Sequence, residues 1–194
     1  MLGRYRIEGY AIASADGHIA AANGLMPDTL KIEADQRFFE KALDHVDLVV
    51  HGRVSYEGQP NSHKRKRLIL TRKIGAIAPD PSNPNAHFWN PAGASFEDAA
   101  KAAGRVAGRV AILGGPDVYS LFLKIGYDDF YLTRAPGVTL PGGVPVFAEA
   151  RQGQSVEDTL ASAGLKPGPL QSLGPGVTLV EWTPMGGSTL EAPR

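Results

Sequence analysis

The sequence contains no cysteine and carries no net charge, and each of these absences excludes a class of function. Without thiols, the chain can form no disulfide, no thiolate metal site and no cysteine nucleophile. Its 20 basic and 20 acidic side chains balance, so no overall positive field attracts nucleic acid or an anionic membrane. We therefore expect neither nucleic acid nor a membrane as a partner.

Long apolar runs are also missing from the beginning of the sequence. Between Met1 and Ile19 the apolar residues are interrupted by Arg4, Arg6, Glu8 and Asp16. We therefore expect this segment to be neither a secretory signal peptide nor a membrane span, and the expected location is the cytoplasm. The 5 histidines do not follow H-E-x-x-H or another metal-binding spacing, so no metal site is predicted.

The remaining composition is typical of a globular domain. Of the 194 residues, 43% are hydrophobic and 21% are charged. A chain of this length buries a substantial core without disulfides or metals. We predict a single domain over residues 1–184 and a flexible tail over residues 185–194, where Gly, Ser, Thr and Pro are frequent.

Short apolar runs alternate with helical patterns along most of the chain. Strands are predicted at residues 5–14, 47–51, 67–71, 109–113 and 129–134, with a short one near Phe88 and Trp89. Helices are predicted at residues 31–46, 95–106 and 117–124, and a closing hairpin at residues 170–173 and 177–182. This order predicts an α/β fold with a mixed, mostly parallel central sheet.

One predicted strand ends in two glycines immediately before a helix. Gly114 and Gly115 let the backbone approach a ligand closely, because glycine has no Cβ, and Pro116 is compatible with a first helical turn. The N-terminus of the helix favours an anion such as a pyrophosphate. A tight strand-to-helix turn without a ligand is the alternative, and the G-x-G-x-x-G fingerprint is absent.

Two further strands end in groups that bind phosphate well. These groups are guanidinium, ammonium and hydroxyl side chains, contributed by Arg53 and Ser55 after Gly52 and by Thr71, Arg72 and Lys73. Alone, each of these strand ends is more typical of a solvated charged surface. Because the carboxyl ends of parallel strands share one edge of a sheet, the three strand ends together predict a nucleotide or dinucleotide site.

Asp35 lies on the apolar stripe of the first predicted helix, on the same face as Phe38, Phe39 and Leu43. A carboxyl group in that position is partly desolvated, which raises its pKa toward a range that is useful for proton transfer. The alternative is an ordinary acidic residue in the first helical turn, where the helix dipole favours negative charge.

The order of these motifs resembles that of the dihydrofolate reductase superfamily, which includes the reductase domain of the riboflavin-biosynthesis deaminase/reductase. Three segments resemble its cofactor motifs: GRVSYE at 52–57, LILTRK at 68–73 and ILGGPDVY at 112–119. The resemblance implies a three-layer fold of that superfamily and NADPH as the cofactor. It assigns cofactor binding to Gly52, Arg53, Ser55, Thr71, Arg72, Gly114, Gly115 and Tyr119.

The segment ADQRFF at 34–39 is similar to the substrate-binding helix of dihydrofolate reductases. The resemblance implies that Asp35 contacts a pterin and assists its protonation, with Thr133 hydrogen-bonded to Asp35. It also implies that Phe39 packs on the substrate and that Arg65 binds a carboxylate of the substrate. If the substrate is the riboflavin pyrimidine, hydride goes to the ribose carbon and Asp35 positions the substrate.

Other residues resemble the riboflavin branch of the superfamily. The segment SADGHIA at 14–20 is similar to its S-x-D-G-x-I-A opening, and Pro116 after the two glycines is also more typical of that branch. Asp28 replaces the Trp that follows Met-Pro in many dihydrofolate reductases, and the D-D-P-x-L-T-x-R segment of riboflavin reductases is missing. A zinc deaminase motif is impossible without cysteine, so the resemblance indicates a stand-alone relative.

The sequence therefore predicts an NADPH-dependent oxidoreductase that acts on a small molecule. The acceptor of the hydride is a pyrimidine like 5-amino-6-(5-phosphoribosylamino)uracil or a pterin. One alternative is a true dihydrofolate reductase, and another is a nucleotide-binding relative without catalysis. A third is a non-enzymatic interaction domain, which would not bind NADPH. By resemblance to the riboflavin branch, we also expect a homodimer.

Overall fold

The structure, a computed structural model, describes residues 4–54 and 61–186. The helices are α1 (Glu33–Leu43), α2 (Phe96–Ala102), α3 (Pro116–Ile125) and α4 (Val156–Ser162). The strands are β1 (Tyr5–Ser14), β2 (His18–Ala20), β3 (Leu48–Gly52), β4 (Arg67–Leu70), β5 (Ile77–Pro79), β6 (Ala86–Trp89), β7 (Gly108–Ile112), β8 (Asp129–Ala135), β9 (Val144–Pro145), β10 (Leu165–Gly174) and β11 (Val177–Pro184).

The central sheet has nine strands in the order β10-β11-β8-β1-β7-β3-β4-β6-β5. All neighbouring pairs from β8 to β6 are parallel. At the two edges, β5 pairs antiparallel with β6, β11 pairs antiparallel with β8, and β10 closes the hairpin with β11. The predicted mixed sheet, mostly parallel and ending in an antiparallel hairpin, is confirmed.

Helices cover both faces of the sheet, which gives the fold its three layers. Side chains alternate between the two faces along a strand, so β1 contributes Ile7 to one core cluster and Tyr10 to the other. The Tyr10 cluster includes Leu43 of α1, whereas the Ile7 cluster includes residues of α2, α3 and α4. The three-layer arrangement that the resemblance implied is therefore confirmed.

A glycine in the buried centre of β1 allows the sheet and an aromatic residue to pack closely. A Cβ on Gly9 would lie 2.2 Å from Cδ2 of Phe130, which is fully buried in the neighbouring strand β8. Since neither the strand nor the ring can move that far in a packed core, only glycine fits at this position.

Several elements differ from the sequence-based expectation. The pattern did not predict α4, β5 or the small sheet in which β2 pairs with β9. These strands have only two or three residues, which is too short for a periodic pattern. α1 also begins and ends inside the predicted range, because Asp44 is its C-cap.

The parallel strands place their carboxyl ends on one edge of the sheet. The chain leaves β3 at Gly52, β4 at Leu70 and β7 at Ile112, and these strands are adjacent in the order β7-β3-β4. The segments that follow, which carry the predicted phosphate-binding groups, therefore lie side by side. Among the described residues, no helix is long and apolar enough to cross a membrane.

Candidate active site

A cleft with a volume of about 1320 Å³ lies along this edge of the sheet. It extends from α1 and the centres of β1 and β8 to the ends of β3 and β4 and the beginning of α3. Pockets for one small ligand usually measure about 300–1,000 Å³. The cleft is thus large enough to hold two ligands next to each other.

One half of the cleft carries a cluster of positive charge, which we call the cationic edge: Arg53, Arg72 and Lys73. Arg53 follows β3, and the other two follow β4. Thr71 lies beside them, with its hydroxyl accepting a hydrogen bond from the Lys73 backbone N–H at 3.2 Å. The guanidinium of Arg72 is 90% exposed, so it is available to an anionic ligand.

The turn between β7 and α3 lies next to the cationic edge. Gly114 has a φ of +82°, and a Cβ there would lie 2.4 Å from the ring of Tyr119, so the turn requires glycine. The Gly114 carbonyl accepts a hydrogen bond from the Gly52 N–H at 2.7 Å, which joins the ends of β7 and β3. Gly115 is the N-cap of α3, where the helix dipole and free N–H groups attract anions.

Tyr119 lines the cleft from α3 but is only 3% exposed. Its hydroxyl donates to the backbone carbonyl of Tyr10, and burial raises the pKa of the phenol. The side chain therefore links α3 to β1, and its ring packs against Gly114.

The other half of the cleft contains Asp35, in the first turn of α1. Thr133, which is buried in β8, also lines the cleft, and its hydroxyl interacts with the Asp35 carboxyl group. Burial raises the pKa of Asp35, and the Thr133 hydroxyl lowers it by a smaller amount. The net upward shift brings the protonated acid closer to neutral pH than in an exposed aspartate.

Four aromatic rings line the same cleft as Asp35 and form what we call the aromatic floor: Tyr10, Phe38, Phe39 and Tyr131. Tyr10 stacks on Tyr131 with ring centroids 5.0 Å apart and an angle of 17° between the planes. The Phe39 and Phe38 rings lie 5.9 and 6.4 Å from the Tyr10 ring. This half of the cleft thus offers flat apolar surface around one carboxyl group, which suits a flat heterocycle that carries a ring nitrogen.

The hydroxyl groups of the two tyrosines in the aromatic floor are hydrogen-bonded to carboxylates. The Tyr10 hydroxyl donates to Glu8 at 2.8 Å, and the Tyr131 hydroxyl donates to Glu181 at 3.1 Å. Burial raises the pKa of both phenols, so both stay protonated donors. Because their hydroxyls are engaged inside the protein, the tyrosines present ring carbon to the cleft.

The structure brings together most of the predicted site residues. Asp35, Thr133, Phe39, Gly52, Arg53, Thr71, Arg72, Gly115 and Tyr119 all line the cleft. Gly114 is the residue before Gly115 in the same turn. Ser55 lies outside the described residues.

Arg65 is placed differently from what the resemblance implied. It precedes β4, and its guanidinium lies 3.4 Å from the Asp44 carboxylate with a side chain only 8% exposed. It is not among the described residues that line the cleft. Lys31, in the turn before α1, is the basic residue that the structure places at the substrate half.

Sequence reasoning did not single out Tyr10, Tyr131, Lys31 or Asp117, although all four line the cleft. A signal was present for the two tyrosines: both occupy the cleft-facing register of adjacent strands, where Tyr10 pairs with Tyr131. Asp117 follows the two glycines in the first turn of α3. Whether these residues meet in one cleft depends on which strands are neighbours in the sheet. Local sequence patterns do not reveal that order.

The donor set of the cleft fits a phosphorylated dinucleotide such as NADPH. The cationic edge and the N-terminus of α3 offer charge and N–H donors for phosphates, and Gly115, which lines the cleft, has no side chain to cover the backbone. Among the described residues, no group of His, Cys, Asp and Glu could hold a metal ion.

No model of a protein family matches the chain, and no curated protein matches it either. Solved structures do match over nearly the whole chain. A protein from Shewanella sp. PV-4 described as a riboflavin biosynthesis protein has 19% identity and a TM-score of 0.64, covering 92% of this chain and 98% of that one.

Two further structures show the same likeness. A pyrimidine reductase-like protein from Corynebacterium diphtheriae has 17% identity and a TM-score of 0.63, covering 92% of this chain and 91% of its own. A dihydrofolate reductase from Enterococcus faecalis, complexed with NADP(H) and RAB-propyl, has 16% identity and a TM-score of 0.60, covering 92% and 95%. The architecture, strand order and these similarities together show that the chain has the dihydrofolate reductase-like fold.

Proposed function

We propose that the protein is an NADPH-dependent reductase that transfers a hydride to a pyrimidine or pterin heterocycle. The observation that carries the proposal is that Asp35 and Thr133 line one cleft together with the aromatic floor and the cationic edge. The similar structures include a pyrimidine reductase-like protein and a dihydrofolate reductase complexed with NADP(H), which supports this class of reaction.

The division of the cleft supports distinct tasks for its residues. NADPH supplies the hydride when it is bound. The N–H groups at the beginning of α3, together with Arg53, Thr71 and Arg72, bind phosphate groups of the cofactor. The aromatic floor excludes water and holds a flat ring in one plane, which fixes the acceptor atom for transfer.

Asp35 is the candidate proton donor in this scheme. Its raised pKa keeps a larger fraction of the carboxyl group protonated near neutral pH, and the Thr133 hydroxyl orients the group. A protonated carboxyl group at the floor of the cleft can donate to a ring nitrogen of the substrate as the hydride arrives at the adjacent carbon. With a pyrimidine whose ribose carbon is reduced, Asp35 would bind and orient the base instead.

We test this scheme with Asp35→Asn, compared with Glu33→Gln in the same helical turn. Purified protein is mixed with NADPH and either dihydrofolate or 5-amino-6-(5-phosphoribosylamino)uracil, and NADPH absorbance is followed. If dihydrofolate is the substrate, we expect Asp35→Asn to lower kcat by about 10²–10⁴-fold. Glu33 is exposed and paired with Arg37, so its substitution should leave the rate unchanged.

The pH dependence provides a second measurement on the same variants. Since the protonated form of Asp35 is the donor, kcat/KM of the wild type should fall as pH rises through the raised pKa. The Asn variant should lose this decline. Equal activity of the two proteins at every pH would contradict a proton-transfer role for Asp35.

The turnover of the two substrates and the binding of NADPH decide between the alternative functions. Turnover of dihydrofolate indicates the pterin class, and turnover of the phosphoribosyl compound indicates the pyrimidine class. Binding of NADPH without turnover of either would favour a nucleotide-binding protein without this reductase activity. Failure to bind NADPH would overturn the proposal.

Two other parts of the proposal come from the resemblance and the sequence. We propose that the protein forms a homodimer. Sedimentation equilibrium of the full chain would test this, and a single species with the mass of the monomer would contradict it. We also propose a cytoplasmic location, which cell fractionation would test.

A further inference from the structure

The cationic edge faces one acidic side chain from across the cleft. Arg72 follows β4, whereas Asp117 is in the first turn of α3, which follows β7. β3 lies between β4 and β7 in the sheet, so the two residues come from opposite sides of the end of β3. Their charged atoms, Arg72 Nη2 and Asp117 Oδ2, are 3.8 Å apart, and both residues line the cleft.

Both members of this ion pair are exposed to solvent. The Arg72 side chain is 90% exposed and that of Asp117 is 70% exposed. A pair of this kind is weak in water and screened by salt, so an anionic ligand can break it easily. A phosphate, which carries nearly two charges and three acceptor oxygens, is a stronger partner for a guanidinium than a single carboxylate.

We propose that Asp117 sets the selectivity between NADPH and NADH by competing for Arg72 with the 2′-phosphate of NADPH, which is the terminal phosphate of that cofactor. This inference rests on the NADPH site proposed above. When Arg72 binds a phosphate, the Asp117 carboxylate loses its partner and stays beside a group of the same charge. NADH lacks the terminal phosphate, so its binding incurs only the weaker repulsion between Asp117 and the pyrophosphate that both cofactors share.

The competition lowers the preference for NADPH below the level that Thr71, Arg72 and Lys73 would give without Asp117. A simpler explanation of Asp117 is that the dipole of α3 favours an acidic residue in the first turn. That role concerns only the stability of the helix. It predicts a lower melting temperature for Asp117→Asn but no change in the ratio of the two cofactor affinities.

The experiment is isothermal titration calorimetry of the purified full chain with NADPH and with NADH at low ionic strength. Asp117→Asn should tighten NADPH binding by about three- to tenfold, because one negative charge near the phosphate is removed. NADH binding should tighten by a clearly smaller factor, since NADH shares the pyrophosphate but lacks that phosphate. The gain for NADPH should shrink as salt is added.

Two variants serve as controls. Glu97→Gln removes the same charge from an exposed position in the first turn of α2, outside the cleft, and should leave both affinities unchanged. Arg72→Ala should weaken NADPH far more than NADH. If Arg72 and Asp117 act on one phosphate, their effects on NADPH affinity are coupled. Asp117→Asn should then raise the NADPH affinity by a smaller factor in the Arg72→Ala variant than in the wild type.

The outcomes separate this inference from the proposed function. If NADPH binds and Arg72→Ala weakens it, but Asp117→Asn leaves the NADPH affinity unchanged or tightens NADH equally, the selectivity role of Asp117 is wrong. If Arg72→Ala weakens both cofactors equally, Arg72 does not bind the terminal phosphate and the inference also fails. If the wild type does not bind NADPH, the proposed function fails and this inference fails with it.

Discussion

Glu8 is completely buried in the middle of β1, and its carboxylate is surrounded by donors. It accepts hydrogen bonds from Arg6 at 3.0 Å, from Tyr10 at 2.8 Å and from Arg109 at 2.7 Å. A buried carboxylate is tolerated when its oxygens are paired in this way. Through Tyr10, this network fixes the position of a ring in the aromatic floor.

Asp129, in β8, belongs to the same region but has a less favourable environment. It is 3% exposed, and burial raises its pKa to about 6 although Arg6 Nη2 lies 2.7 Å from one carboxylate oxygen. Within the described part of the chain, the same oxygen has no partner with hydrogen-bond geometry, so the short ion pair offsets the effect of burial on the pKa only in part. The nearby acids Glu8, Glu181 and Asp128 add repulsion to the charged form.

We predict a pH-dependent effect of Asp129→Asn on stability. Because the native pKa of Asp129 lies above its ordinary value, its contribution to stability is present at low pH and is lost as pH rises through about 6. The Asn variant lacks this loss, so its free energy of unfolding relative to wild type should rise by up to about 3 kcal/mol between about pH 4 and about pH 7.

Urea unfolding of both proteins across this pH range measures the difference. Glu97→Gln, which removes an exposed carboxylate, should keep a constant difference from wild type. A constant difference for Asp129→Asn as well would show that burial does not perturb Asp129 in the way described.

At the scale of secondary structure, two helices begin with the same local signal. Ser95 caps α2 and accepts a hydrogen bond from the Asp98 N–H at 3.1 Å, and Ser155 caps α4 and accepts one from the Asp158 N–H at 3.0 Å. The first of these helices was predicted to begin at residue 95, where Ser95 and Asp98 form a Ser-x-x-Asp pattern. The second has the same pattern, and applying the rule there would have located α4.

We predict that Ser155→Ala destabilises the protein by about 1 kcal/mol, because the N–H of Asp158 loses its acceptor. For a domain of this size, that corresponds to a fall in Tm of about 2–4 °C. Ser162→Ala at the other end of α4 is the matched control and should be neutral or slightly stabilising, since alanine favours the helix. Differential scanning calorimetry measures both, and equal Tm values for the two variants would contradict a capping role.

At the scale of the whole molecule, the cleft exists because strands that are distant in the sequence are neighbours in the sheet. The cationic edge, the Gly114 turn and Asp35 come from four separate parts of the chain, because the cationic edge itself combines residues after β3 and after β4. A ligand that contacts them together binds only the folded state, so it stabilises the fold by mass action.

We therefore predict that NADPH raises the Tm of the protein. At a concentration of about 100 times Kd, the stabilisation is about 2.7 kcal/mol, which corresponds to a rise of about 5–10 °C for a domain of this length. Thermal unfolding with increasing NADPH measures the shift, and Arg72→Ala should reduce it at the same concentration. A Tm that is independent of NADPH would contradict a cofactor site in the cleft.

The sequence by itself determined the elements that depend on local physics. The period of the apolar residues located β1, α1 and β8, and the Gly-Gly-Pro run located the turn before α3, whereas only residues 170–173 of β10 were predicted. The predicted face of α1 also placed Asp35 beside Phe38 and Phe39. These features depend on residues a few positions apart, whose spacing is visible in the sequence.

Only the tertiary structure decided which distant residues meet. The order β8-β1-β7-β3-β4 places Tyr10 against Tyr131, and Asp117 across from Arg72, while Arg65 lies next to Asp44 outside the cleft. The extent of burial, which raises the pKa of Asp35 and of Asp129, also depends on that order. The physical reason is that strand order and burial result from packing the whole chain into one core, and no local pattern encodes them.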